Sequence, residues 1–267
     1  MVSFRNSQLQ AIVVGLVVAD ALSQGQLPWP SERFSQPALA SMGPAASAIA
    51  DDRWSQRLSA QFRQGIAADR PPGLTAPGED LPDAALPSLL AQLPPLLRQL
   101  DSPLPPADLA TATLQGGLRA CLRRDAAALV RLQQRCHPSA AALAPPVATG
   151  MSRAIAAVLA ARGDFQLAIG LSLYEAPAIV GLPVLTGILS AGWGDLLSVP
   201  SRYRHRLHQP DPGLQAWLSR RWQLTDDTML AAWATDIWRD WLGLDRRATA
   251  RLPMAVMPLA ASSPPAS

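Results

Sequence analysis

Residues 9–22 read LQAIVVGLVVADAL, and the fold turns on how this run is read. Only Gln10 and Asp20 interrupt its apolar character. A helix apolar on every side is either a membrane span or the centre of a helical core. The uncharged apolar stretch from Ala11 to Ala19 is nine residues long, whereas a span needs about 20. It lacks the long apolar region and small-residue cleavage site of a secretory leader. The reading is therefore a buried opening helix, around which other helices must pack.

The rest of the chain agrees. No segment alternates with period two between turns, and several runs fit period 3.6. Helices are expected at 51–64, 84–93, 96–100, 107–121 and 125–135, then over 139–162, 165–174 and 184–192. A last helix runs from Asp226 or Asp227 to Leu242. Pro145-Pro146 should interrupt or kink the 139–162 helix, and Gly163 should cap its end. Pro/Gly-rich loops are expected at 25–44 and 70–82. The nineteen residues 176–194 carry no charge, but Pro177, Pro183 and four glycines break them up, so they too read as a buried helix. The expected fold class is all-α in a single domain over 1–247, with a frayed Ala/Pro/Ser-rich tail at 248–267.

Composition narrows the function classes. The hydrophobic share is 49% and the charged share 16%, against roughly 25% charged in an average soluble domain. That excludes a disordered chain and a charge-flanked coiled coil. All 23 basic residues are Arg and the net charge is only +3, a weak field rather than a nucleic-acid footprint. Without Lys there is no Schiff-base or P-loop lysine chemistry. Cys121 and Cys136 form no Cys-x-x-Cys motif, which fits a reduced, cytoplasmic compartment. His205 and His208 could share one helical face, but no third metal ligand lies near them in sequence.

Three segments, in order, carry a resemblance. The first is Gly15-Leu-Val-Val-Ala-Asp20-Ala-Leu-Ser23. The second is Arg135-Cys136-His137-Pro138 with the Ala-rich stretch leading to Gly163-Asp164-Phe165. The third is Gly187-Ile-Leu-Ser-Ala-Gly-Trp193-Gly194, continuing to Val199-Pro200-Ser-Arg-Tyr203. Together they resemble the ADP-ribosylglycohydrolase family, over about residues 8–205. The resemblance implies an orthogonal helical bundle of that family's type. It implies hydrolysis of ADP-ribosyl bonds, with two Mg²⁺ ions held by carboxylates from the first and last core segments. Hard cations want oxygen ligands, which paired Asp residues at helix starts supply.

The resemblance fails at the ligands. Ala50-Asp51-Asp52-Arg53 is the best match to the family's T-D-D-T motif, but both Thr are lost and Arg53 brings a cation, which could replace part of the metal charge. Ala178 and Val180 stand where the second motif has Asp, and aliphatic groups cannot ligate magnesium. A literal Thr225-Asp226-Asp227-Thr228 lies after the matching region and reads as a helix start.

Trp residues cluster late: five of eight fall between Trp217 and Trp241. Beside Arg220, Arg221 and Arg239 they fit either a packed core or a docking face. Two functions are expected from these signals. One is a silent relative of the family that acts as a binding or assembly protein, with Asp20, Arg53, Trp222 and Trp238 as ligand- or partner-binding candidates. It has no cofactor, a protein partner, and no nucleic acid or membrane span. The other is an active hydrolase of an ADP-ribose-like substrate, with Asp51 and Asp52 as catalytic and magnesium-binding residues.

Overall fold

Helix α1 (Asn6–Ser23) is the axis of the molecule. In the computed structural model, the described residues are 6–29, 93–98, 100, 109–136, 145–175, 179, 181–224 and 228–241. All regular structure among them is helical, so the protein is all-α. From Leu9 to Leu22 α1 is buried except at Gln10, as its unbroken apolar surface requires.

Its main partner is the other all-round apolar helix, α7 (Leu182–Gly194). The two cross where small residues face each other. A Cβ on Gly15 would lie 2.9 Å from the Gly187 carbonyl oxygen, and one on Gly187 would lie 2.9 Å from the Gly15 carbonyl oxygen. Ala191 and Ala19 complete the contact, each against the opposite helix's glycine. The backbones approach closely because neither glycine has a side chain to keep them apart.

Around this pair lie α3 (Leu109–Arg123), α5 (Pro145–Ala161) and α6 (Phe165–Glu175), all packed on α7. Helix α4 (Ala126–Arg135) joins α3 to α5. On the far side, α10 (Thr228–Trp241) packs on α1, and α2 (Leu93–Arg98) on α10. A short 3₁₀ turn, Leu196–Ser198, leads into α8 (Ser201–His208) and α9 (Pro212–Trp222).

Local chemistry sets the boundaries. Asp125, Asp164 and Asp211 accept hydrogen bonds from the N–H groups of Ala128 (2.8 Å), Leu167 (2.9 Å) and Leu214 (2.9 Å). Each satisfies a donor that the first turn of a helix leaves open. Gly163 sits at φ +92° after α5, a conformation L side chains rarely adopt.

Pro145-Pro146 stand in the first turn of α5, where a proline lacks only an N–H that would be unpaired anyway; residues 139–144, ahead of them, lie outside the described residues. The structure corrects two other readings of the sequence. The apolar run at 176–194 does not form one helix; α7 begins at Leu182, behind Gly181 at φ +84°. Helices α8 and α9 were not expected from the sequence. Sequence SRYRHRLH has only Tyr203 and Leu207 as an apolar stripe, and the Asp211-Pro212 start of α9 is brief. No helix among the described residues is long and apolar enough to cross a membrane. The expected helix at 51–64, the loop at 70–82 and the tail lie outside the described residues.

Candidate functional site

Asp20 is the single charge in the buried core of α1, and its side chain is 0% exposed. An unpaired carboxylate there would cost several kcal/mol. The pairing comes from the end of α9. Arg221 donates from Nε to Asp20 Oδ2 at 2.5 Å and from Nη2 to Oδ1 at 2.7 Å. This is the two-pronged geometry in which guanidinium matches carboxylate best. Trp222 Nε1 donates to Oδ2 at 3.0 Å. Arg221 is only 4% exposed, and its guanidinium lies over the Trp217 ring, 5.3 Å from the centroid.

The chain places these groups by ordinary helix grammar. Asp211 caps α9 at its start, and Gln223, at φ 51°, ends it in a left-handed turn. The Leu224 N–H then closes on the Leu218 carbonyl at 3.3 Å. Arg221 and Trp222 are thus the last two helical residues, delivered together onto the C-terminal end of α1.

The donor set around Asp20 does not fit a divalent cation. Both carboxylate oxygens accept bonds from a guanidinium, which itself carries the positive charge a metal would bring. Among the described residues, no three of His, Cys, Asp and Glu gather as metal ligands would. Asp51, Asp52 and Arg53 lie outside the described residues, as do Ala178, Val180 and Thr225 to Asp227.

Two of the residues expected to bind a ligand or partner are therefore inside the protein. Asp20 and Trp222 are both fully buried, so neither forms a face that a partner can reach. Trp222 is core because its indole ring fills the interior while its N–H answers the carboxylate. Trp217 and Trp233 are buried too, and Trp238 is half-buried and packed against the core. The sequence points to Arg221 only as one of the arginines beside the Trp cluster, not as the partner of Asp20. The available signal was the lone Asp in an apolar helix, which demands a cation but does not say which Arg supplies it.

A second polar cluster lies where α6 and α8 begin. Arg202 Nη2 donates to Gln166 Oε1 and, at 3.4 Å, to the Tyr203 hydroxyl. Its guanidinium lies 4.8 Å from the centre of the Tyr203 ring. Burial pushes the Tyr203 phenol above its usual range, against a smaller opposing pull from Arg202. Compared with known proteins, the chain matches no family model, no curated protein and no solved structure.

Proposed function

We propose that this chain is a catalytically silent relative of the ADP-ribosylglycohydrolases that works as a binding or assembly protein. The three ordered segments quoted from the sequence support the kinship. The observation that carries the silent reading is the Arg221 fork on Asp20. Asp20, the acid of the opening motif, is neutralised by a protein cation and sealed from solvent, so it is unavailable to substrate or metal. Ala178 and Val180 add to this, because an aliphatic side chain offers no oxygen to magnesium. A scaffold relieved of its cations keeps its helices and can serve through its surface, since function resides in sites rather than in the fold.

The test is hydrolysis. The full chain is incubated with mono-ADP-ribosylated protein and Mg²⁺, and free ADP-ribose is measured. The expected result is no release above the uncatalysed background. Release that disappears in Asp51→Ala and Asp52→Ala would overturn the proposal and make those residues a working magnesium site.

A further inference from the structure

We propose that the outer side of α4, with the adjoining ends of α3 and α5, is a docking surface for an acidic segment of another protein. This goes beyond the silent-scaffold reading and does not rest on it.

Charge is segregated along the chain. Residues 109–163 hold seven Arg and a single acid, Asp125. The remainder holds sixteen Arg against nineteen Asp and Glu. The small net charge of +3 is therefore the sum of one strongly basic region and a mildly acidic remainder. The basic region is one structural layer, because α4 packs on both α3 and α5.

Most of its cations face outward. Arg123, Arg124, Arg131, Arg135, Arg153 and Arg162 are exposed. Arg124 Nε donates to the Trp193 carbonyl at 3.1 Å, and a Cβ on Gly163 would meet the Trp193 ring at 3.2 Å. Trp193 thus brings the ends of α3 and α5 together. Among the described residues, no acid pairs with Arg123, Arg131, Arg135 or Arg162. Asp125 caps α4 through the Ala128 N–H. Asp164 and Asp195 lie where α3 and α5 finish, whereas Arg135 stands at the opposite end of α4.

Arg131 and Arg135 are one helical turn apart, and Ala126, Ala127 and Val130 are exposed on the same helix. Like charges at this spacing weaken a helix, a penalty that carboxylates laid between them would reverse. Each guanidinium can take a carboxylate in two-pronged geometry.

The composition of the face selects the class of partner. A surface that enters a bilayer offers Leu, Phe or Trp, but the exposed apolar residues of α4 are two Ala and one Val. A long polyanion such as nucleic acid would run on from the basic layer to the acidic remainder, which repels it. A protein segment with acids one turn apart meets both arginines and covers the small apolar residues beside them.

The test titrates a labelled oligoglutamate peptide with the full chain and follows anisotropy. Saturable binding is expected, weakened about fivefold or more when Arg131→Gln and Arg135→Gln are combined. Arg206→Gln combined with Arg220→Gln removes the same charge from exposed positions on α8 and α9. That pair should change the affinity less than about twofold, because distant surface charge is screened. Both double variants alter exposed side chains and should melt no lower than the wild type.

Absence of saturable peptide binding, or equal weakening by the two double variants, would overturn the surface. Two further arms use phosphatidylserine vesicles and a short DNA duplex. Tighter binding of either than of the peptide, lost in the α4 variant, would reassign the face to a bilayer or to nucleic acid and overturn the protein partner.

Discussion

Asp20 and Arg221 stand 201 positions apart and meet in the core through two hydrogen bonds of 2.5 and 2.7 Å. This pair ties the C-terminal end of α1 to the end of α9. A buried ion pair gains little over a well-packed apolar one, but losing one partner strands the other. Asp20→Asn and Arg221→Met should therefore each cost about 3–5 kcal/mol. The double variant should cost clearly less than the sum, as read from urea unfolding. Strictly additive losses would mean that the two residues do not act as a pair.

The crossing of α1 and α7 gives a second expectation. A Cβ on Gly15 would stand 2.5 Å from Ala191 Cβ, so Gly15→Ala must push the helices apart, at a cost of about 1–3 kcal/mol. Gly116, within α3, has no atom nearer than 3.8 Å to a new Cβ. Gly116→Ala should thus stabilise by about 0.5–1 kcal/mol, through the entropy of the unfolded chain and helix propensity. Thermal melting of the two variants should shift in opposite directions.

Alkaline pH should weaken the fold through its thiols. Burial pushes the Cys121 thiol far above its ordinary value of 9.0, and burial likewise raises Cys136, against a smaller pull from Arg135. Below pH 9 both folded and unfolded thiols are neutral, so this contribution is fully present. As pH rises past 9 the unfolded thiol ionises while buried Cys121 stays protonated, and stability is lost. The loss from Cys121 should approach about 1.4 kcal/mol per pH unit. Urea unfolding at pH 8, 9 and 10 should show the decline, and Cys121→Ala should flatten it. A slope unchanged in that variant would remove Cys121 as the cause.

How much of this was legible in the sequence depends on which signal each residue carried. The all-α class was legible because the 9–22 run is too short to span a bilayer and too apolar to lie on a surface. Helices α3, α4 and α6 were foreseen to within about two residues at each end, because apolar spacing and caps agree there. Helix α8 escaped because five of its eight residues are Arg or His, and Tyr203 and Leu207 alone make too faint a stripe. Trp222 could be weighed as core or surface, but nothing local decided between them. Arg221 was one of 23 arginines, and only the folded chain selects the one that reaches Asp20.

The proposed loss of the cation site is tested most directly by calorimetry with ADP-ribose, run on the full chain in Mg²⁺ and again in EDTA. We expect the two titrations to coincide, with no heat that depends on the metal. Tight binding of ADP-ribose that appears with Mg²⁺ and vanishes with the chelator would refute the proposal.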